Sequence, residues 1–533
     1  MPCVATVTPD AKLAPASIGS YDPTADVGSL FNTTKLVGAQ RAWSLGATGK
    51  GVGVALIDTG VAPVQGLNGS GKVVNGPDLS FDSQVSQLTY NDEYGHGTHL
   101  AGIIGGNDLM NPVGAVSSDA SVSTSSVSST VNKYTGNTNA FIGVAPDSRI
   151  VNMKVGDENG VTDVSQVIAA IDWVVQHASD PKLNIKVINL SYGTMSGQAY
   201  TMDPLAYAAE VAWQHGIVVV TAAGNQGSSS NGLTDPAYDP YVIAVGAADT
   251  QGTLNKALHT VASFSSVGDG TRNPDLIAPG VHVESLRDPG SNIDQMFGAT
   301  ATVGTRFFLG SGTSQATAVV SGAVADYLSL NSWASPSQVK AALTQSATQL
   351  PNEPSTAQGA GELNVAAAIN SGSSGSSKQR FAQSTGTGTL EATRGNLHIT
   401  ANGVTLTGEQ DIMGAAWSSA SMAAAEGNLT AWNGGTFNGA GWSGAGWSGA
   451  GWSGAGWSGA GWSGAGWSGA GWSGSTWNGA GWSGAGWSGA GWSGAGWSGA
   501  GWSGAGWSGA GWSGAGWSGA GWSGAGWSDY SWV

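Results

Sequence analysis

The sequence has little cysteine, little charge and no long apolar run, and each absence excludes a class of protein. Cys3 is the only cysteine among the 533 residues, so neither an intrachain disulfide framework nor a cysteine-based zinc site can form. No run of about 18 apolar residues occurs, so no transmembrane segment is predicted. Clusters of lysine and arginine are also missing and the net charge is −16, which argues against a nucleic-acid partner.

Glycine and tryptophan are abundant, with 87 and 25 residues, but the chain is not uniform. Only 3 of the 18 basic and 5 of the 34 acidic residues follow residue 370, so the acidity belongs to the first part of the chain. That part is long enough to bury one α/β core. The Ser/Gly-rich segment after residue 370 predicts a flexible linker. Residues 371–430 are interpreted as a linker and a mixed polar region, with a possible strand over His398–Leu406.

Within the expected domain over residues 34–370, short β-branched runs alternate with helix-like stretches from Gly51 to about Ile369. This alternation predicts an α/β domain with a mainly parallel sheet and helices on both faces. The expected strands are Val52–Ile57, Ile150–Val155, Ile185–Leu190, Ile217–Val220 and Val242–Val245, and the expected helices include Val164–Ala178 and Leu205–Gln214. A Ser/Thr/Asn-rich stretch, Ser117–Asn139, interrupts the alternation and predicts a surface loop.

Polar or glycine-rich segments follow three of these strands. An open parallel sheet binds its ligands at the carboxyl ends of its strands, which is where these segments begin. They are Asp58–Gly60, Ser191–Gly193 and Ala222–Asn225. Two predicted helix starts carry reactive side chains, one with His96 and one with Ser314. A carboxylate, an imidazole, a hydroxyl and an amide are therefore expected to converge at one edge of the sheet.

This set of groups suits nucleophilic catalysis. A serine hydroxyl needs an adjacent base, which His96 could supply to Ser314. Asp58 could hold the imidazole in the correct tautomer. The Asn225 amide and the N–H of Ser314, at a helix start, could stabilise an oxyanion. The expected chemistry is acyl transfer.

These residues resemble the subtilisin-like serine proteases (subtilases, peptidase family S8), whose chain order is Asp, His, Ser. The resemblance covers roughly Thr34–Ile369. The motifs that carry it are Ala55–Gly60, Gly95–Gly102, Gly143–Pro146, Val187–Ser191, Ala222–Asn225, Ile277–Gly280, Gly312–Ser314 and Gly359–Asn364.

The resemblance implies a subtilisin-like fold and a role for each matching position. Asp58, His96 and Ser314 fall at the catalytic triad and Asn225 at the oxyanion asparagine, while His99 matches a second, non-catalytic histidine. Residues lining the primary specificity pocket and pairing with an extended substrate would be Ser191, Tyr192, Gly193, Ala222, Ala223 and Gly224. The substrate would be a protein or peptide bound by strand addition.

The family's habits imply further properties. No cofactor is expected for catalysis. Structural calcium is implied, but its ligands are not identified from the sequence. A secreted or cell-surface zymogen is expected. The chain lacks a recognisable signal peptide, and Val7–Ala11 is similar to the end of a propeptide. Residues 1–33 are therefore interpreted as the end of a propeptide and an N-terminal segment, in a chain that lacks its true N-terminus.

The chain also departs from the family and leaves alternatives to weigh. Many subtilases continue Met-Ala-x-Pro-His-Val after the nucleophile, whereas this chain has Gln315–Val320. The helix after Ser314 could therefore sit differently, and an inactive relative remains an alternative.

An aspartic-protease dyad would need a second Asp-Thr-Gly or Asp-Ser-Gly, which is absent. A zinc site lacks the His-Glu-x-x-His pattern, and an α/β-hydrolase would need its histidine after the serine, where only His398 follows.

Residues 431–533 repeat Gly-Trp-Ser-Gly-Ala with a period of five, and tryptophan recurs from Trp442 to Trp532. Trp432 and Phe437 keep the same register upstream. Two glycines in each unit exclude a regular helix, so the tail is expected to form either a stacked solenoid or a flexible ribbon. We expect it to bind a glycan, a cell surface or itself. The competing hypothesis is a surface adhesive or structural protein whose protease domain serves only self-processing.

Overall fold

The computed structural model describes residues 21–84, 87–110, 132–229, 232–371, 378–401, 404–441 and 529–531. Within them the α-helices are α1 (Leu30–Leu36), α2 (Ala39–Ser44), α3 (His96–Gly105), α4 (Val164–His177), α5 (Pro204–Gln214), α6 (Asn292–Ala301), α7 (Thr313–Leu330), α8 (Pro336–Ser346), α9 (Ser355–Gln358), α10 (Val365–Ser371), α11 (Leu390–Arg394) and α12 (Ser419–Gly427). The strands are β1 (Gly53–Asp58), β2 (Val73–Asn75), β3 (Arg149–Lys154), β4 (Ile185–Leu190), β5 (Val218–Ala222), β6 (Ile243–Asp249), β7 (Thr260–Val261), β8 (Leu276–Pro279), β9 (Val283–Leu286), β10 (Thr302–Val303), β11 (Phe307–Gly312), β12 (Thr400–Ala401), β13 (Val404–Thr405), β14 (Trp432–Asn433), β15 (Thr436–Phe437), β16 (Ala440–Gly441) and β17 (Asp529–Ser531).

The core is one eight-stranded sheet in the order β2-β3-β1-β4-β5-β6-β7, with β8 also paired to β6. All of its pairs are parallel except β6 with β7. Every residue of β1 and β5 is buried. Strands covered on both faces carry continuous apolar runs, and this is why β-branched residues fill them. The predicted α/β fold with a mainly parallel sheet is confirmed.

Helices cover both faces of this sheet, as the helix-like stretches predicted. The long helix α7 packs with α3 and lies against β4, β5, β6 and β8, while α4 and α5 pack together on the other side. Helix α4 starts where the sequence predicts it, because Asp163 and Gln166 form a capping box at its N-terminus. Asp203 caps α5, with Pro204 in its first turn.

Residues 378–401 and 404–441 pack onto the α/β domain, and we call them the C-terminal wrap. The fully buried Arg394 pairs with Asp163 at 2.7 Å, and Trp432 Nε1 donates to the carbonyl oxygen of Ala169 at 2.7 Å. The structure therefore differs from the expected polar region. The wrap is folded, but its elements are too short to show a periodic apolar pattern. The expected strand over 398–406 is instead a hairpin of β12 and β13, and Asn402-Gly403 between them is a hairpin signal.

A second, antiparallel sheet surrounds β11, which pairs with β9 and β10 and, through its last two residues, with β17. The first residues in register with the repeat, Trp432 and Phe437, are buried in a small meander of β14, β15 and β16. Residues 442–528, which hold most of the repeat, lie outside the described residues. Residues 1–20 and 111–131 also lie outside them, and the second of these ranges includes the first part of the expected loop. Among the described helices, none combines the length and apolar character needed to cross a membrane.

Candidate active site

The carboxyl ends of three neighbouring strands bring the predicted groups to one edge of the sheet. Strands β1, β4 and β5 are adjacent and parallel. Asp58 ends β1, Ser191 follows β4, and Ala222 ends β5. His96 is the first residue of α3, and Ser314 is the second residue of α7.

Asp58 and His96 form a buried hydrogen-bonded pair, with Asp58 Oδ1 2.6 Å from His96 Nδ1. Because Nδ1 faces a carboxylate, it carries the proton in the neutral imidazole, and Nε2 is left as the basic nitrogen. The N–H of Thr59 also donates to Asp58 Oδ1, at 2.8 Å. Burial raises the pKa of Asp58, and the attraction of His96 and these hydrogen bonds oppose that increase. The geometry fixes the tautomer that a general base requires.

Asp92, which sequence reasoning missed, connects this pair to the start of α3. One oxygen of the buried Asp92 carboxylate accepts from Thr59 Oγ1 and from the N–H of Gly95, and the other accepts from the N–H of Thr98, each at 2.7 Å. The N-cap residue Gly95 has no side chain to do this. An aspartate shortly before a helix is the signal that could have identified it.

Ser314 lies where β11 runs directly into α7. Its side chain is buried, and its Oγ donates to the carbonyl oxygen of Ser191 at 3.4 Å, a long and weak contact. The hydroxyl is therefore held between the segment after β4 and the N-terminal end of a helix. The positive end of the helix dipole favours negative charge at this position.

Asn225 is fixed through its oxygen, which leaves its amide nitrogen for another acceptor. Its Oδ1 accepts from the N–H of Thr313 at 3.0 Å and from Thr313 Oγ1 at 2.9 Å. Its Nδ2 is buried and has no hydrogen-bond partner among the described residues. A buried donor without a partner is costly, so this amide is available to an acceptor that the described residues do not supply. Thr313 precedes Ser314, so Asn225 is attached to the helix start that carries the hydroxyl.

The two predicted pocket segments are joined through Thr234. Thr234 Oγ1 donates to the carbonyl oxygen of Ala222 at 3.2 Å, and its N–H donates to that of Ala223 at 3.2 Å. A methyl group added at Gly193 would lie 2.6 Å from Thr234 Oγ1, and one at Gly224 would lie 2.7 Å from its Cγ2. Gly224 also has a φ of 107°, which disfavours other residues. Glycine is therefore required on both sides of Thr234.

Tyr192 contributes to this region differently from its neighbours. Its ring is 1% exposed and belongs to the main hydrophobic core. Burial raises the pKa of its hydroxyl, as do the nearby charges of Asp163 and Asp235. The backbone of Tyr192, rather than its ring, is the part that remains for contact with a substrate.

His99 and the residues after Ser314 have structural positions. His99 Nε2 lies 3.0 Å from the carbonyl oxygen of Phe308, which joins α3 to β11. Helix α7 continues without a break through 315–320, where all side chains are buried. The departure from the family pattern therefore does not interrupt the helix that carries Ser314.

The implied calcium has no assigned ligands. Among the described residues, no group of three or more histidine, cysteine, aspartate or glutamate side chains is arranged to hold a metal ion.

Comparison with known proteins identifies the family. A model of the subtilase family matches residues 49–361. The chain is 35% identical to the serine protease AprX of Bacillus subtilis (strain 168), over 60% of this chain and 66% of that protein. It is 35% identical to subtilisin DY of Bacillus licheniformis, over 62% of this chain and 96% of that protein. The minor extracellular protease Epr of B. subtilis (strain 168) is 29% identical, over 52% of this chain and 32% of that protein.

The family match and the relatives agree with the fold. The match covers more than half of the chain, and it includes the sheet edge, α3, α7 and the glycine-rich segments described above. The aligned part spans just under two thirds of AprX but nearly the whole of subtilisin DY. The chain belongs to the subtilase family and is a subtilisin-like serine endopeptidase.

Proposed function

We propose that Asp58, His96 and Ser314 form the catalytic triad and that Asn225 stabilises the oxyanion. The observation that carries this proposal is the buried 2.6 Å hydrogen bond between Asp58 Oδ1 and His96 Nδ1. It orients a base at the sheet edge where Ser314 lies in the first turn of α7. The amide of Asn225, held through its own oxygen, supplies the second requirement, a donor for developing negative charge.

Acylation begins when Ser314 Oγ attacks the carbonyl carbon of the scissile bond while His96 Nε2 takes the hydroxyl proton. The carbonyl π pair moves to oxygen, and this oxyanion accepts hydrogen bonds from Asn225 Nδ2 and the N–H of Ser314. Collapse of the intermediate breaks the C–N bond, and His96 gives its proton to the departing amine. Water then attacks the ester in the same way, which releases the acid and restores Ser314.

The substrate is proposed to bind as an extended strand against 191–193 and 222–224. Each segment ends in a glycine, Gly193 or Gly224, and a residue without a side chain leaves the backbone open to a close approach. Thr234 between them is neutral and small, and neither of the two segments contains a charged residue. We therefore propose a broad or apolar preference for the residue before the scissile bond.

The test is hydrolysis of casein by purified protein, with maturation of the N-terminus followed by mass spectrometry. Ser314→Ala should abolish both processes, because it removes the hydroxyl that forms the acyl-enzyme. Ser329→Ala, on the same helix and hydrogen-bonded only within it, is the matched control and should retain both. Activity that survives in Ser314→Ala would contradict the assigned nucleophile.

The location and the tail are separate proposals. We propose that the enzyme acts outside the cell, in keeping with the extracellular relative Epr, and that the repeat retains it on a glycan, a surface or another copy. A variant that ends at residue 441 keeps the wrap and removes the repeat. Loss of surface retention with intact casein hydrolysis would support the proposal, whereas retention without the repeat would contradict it. Self-maturation without casein hydrolysis would instead favour the adhesive alternative.

A further inference from the structure

The last described residues of the chain lie beside the nucleophile. Strand β17 (Asp529–Ser531) pairs antiparallel with the end of β11, with Ser531 opposite Ser311 and Asp529 opposite Gly312. The register shifts by one residue between these pairs, so Tyr530 is the extra residue of a bulge. Ser311 and Gly312 precede Ser314 by three and two residues, and β17 also contacts α7.

Strand β17 occupies the edge of β11 that the rest of the domain leaves available. On the other side, the N–H of Gly312 donates to the carbonyl oxygen of Gly280 at 2.8 Å, and Ser311 Oγ accepts from the N–H of His282 at 2.9 Å. Earlier in β11, residues Phe307–Gly310 pair with β9. Among the described residues, β17 is therefore the strand that completes the end of β11.

The direction of β17 matches that of a substrate after its scissile bond. Because the pairing is antiparallel and β11 runs toward Ser314, β17 runs away from it. A substrate whose acyl side lies along 191–193 and 222–224 must continue past Ser314 on its leaving-group side. A backbone edge accepts an extended peptide through main-chain hydrogen bonds, and one edge pairs with one strand at a time.

We propose that the C-terminal segment of this chain docks on β11 and competes with the leaving-group side of the substrate. The inference rests on the proposed function, because it needs Ser314 to be the nucleophile. The segment is tethered to the domain that it inhibits, so docking is intramolecular and does not depend on protein concentration. Its effect is confined to substrates that extend past the scissile bond.

The test compares full-length protein with a variant lacking residues 529–533. The matched control lacks residues 523–527 instead, which removes one repeat unit and keeps the C-terminal segment. Two substrates are used: an internally quenched peptide with four residues after the scissile bond, and a peptide p-nitroanilide, whose leaving group does not extend along β11. Deletion of 529–533 should lower KM for the quenched peptide by about threefold or more, since the competing state is removed. The KM for the p-nitroanilide, and both KM values of the control, should not change.

A direct binding measurement complements the kinetics. In a Ser314→Ala background, deletion of 529–533 should increase affinity for the quenched peptide, and added peptide Asp-Tyr-Ser-Trp-Val should reverse that gain, whereas a scrambled pentapeptide should not. Unchanged KM and affinity after the deletion would overturn the inference, and so would equal effects on both substrates. If the full-length protein cleaves neither substrate, the proposed function fails instead, and the binding measurement still tests the docking.

Discussion

Two side chains at the site act on the reacting groups through others, and their roles appear only in three dimensions. Asp92 holds Thr59 and the first turn of α3. Thr313 holds the oxygen of Asn225. Asp92 lies shortly before one motif and Thr313 lies within another, but Thr59 and Asn225 are 33 and 88 residues away from them in the chain. The orientation of His96 and of the Asn225 amide therefore depends on contacts that motifs do not contain.

Removal of the Asn225 amide should lower kcat with little change in KM, because the hydrogen bond forms only to the oxyanion. Loss of one such donor from a subtilisin lowers kcat by about 100- to 1,000-fold, and Asn225→Ala is expected to match this. Steady-state kinetics on a peptide substrate give the measurement. Thr313→Val is the comparison: its N–H still holds Asn225 Oδ1, so a smaller decrease is expected. An equal decrease in both variants would assign the effect to the helix start rather than to the amide.

Asp92→Asn should reduce kcat by about 10- to 100-fold, because small displacements of a catalytic group have effects of this size. The change removes a carboxylate that accepts three hydrogen bonds at the start of α3. Free energy of unfolding should also fall, by about 1 kcal/mol, through weaker capping. Glu93→Gln makes the same change of charge at the next residue, where the carboxylate accepts from Asn91 Nδ2. It should retain activity, and a similar loss in both variants would indicate a general charge effect.

At the scale of elements, the sequence predicts what periodicity and motifs encode. The strands β1, β3, β4 and β5 follow the apolar runs within one or two residues, β6 extends four residues past the end of its run, and α4 follows its capping box. The wrap was not predicted. Arg394 reads as a surface residue in sequence, and its partner Asp163 lies 231 residues away. A buried ion pair across such a separation has no local signal.

Arg394→Met should therefore destabilise the protein by about 3–5 kcal/mol, since it leaves a buried carboxylate without its partner. Asp163 would keep the N–H of Ser165 as a donor, but the guanidinium hydrogen bonds to Gly408 and Gln410 would be lost. Urea denaturation in a Ser314→Ala background gives the measurement without autolysis. Arg380→Met, at an exposed position of the same wrap, should change stability by less than about 0.5 kcal/mol. Equal effects of the two changes would contradict an anchoring role for Arg394.

At the scale of the whole molecule, buried acids make stability depend on pH. Burial raises the pKa of Glu210, Glu284, Asp288 and Glu426 to about 8. Each of these carboxyls keeps a proton in the folded protein at pH values where the unfolded chain has released it. Their contribution is complete below about pH 4 and is lost as the pH rises through about 8. The Tm of the Ser314→Ala protein should therefore fall between about pH 5 and pH 9.

Glu426 offers the sharpest test of this dependence, because it lies on α12 of the wrap against the domain. Burial and the charge of Glu426 raise the pKa of Asp172 on α4. Burial and the charges of Glu426 and Asp172 also raise the pKa of Tyr207 on α5. Glu426→Gln cannot ionise, so the fall of Tm with pH should be shallower. Glu353→Gln, at a partly exposed position elsewhere, should leave the slope unchanged. A slope that is the same in all three proteins would contradict the assignment to Glu426.

The repeat is attached to the domain at both of its ends. Strand β14 contacts α4 where the repeat begins, and β17 lies on β11 where it finishes. The segments on either side of residues 442–528 are therefore both held on the domain. A single cleavage between residues 441 and 529 would leave both fragments on the enzyme. The fragment that carries β17 would be released only when β17 dissociates from β11. Release of this part of the repeat and exposure of the β11 edge to substrate would then be the same event.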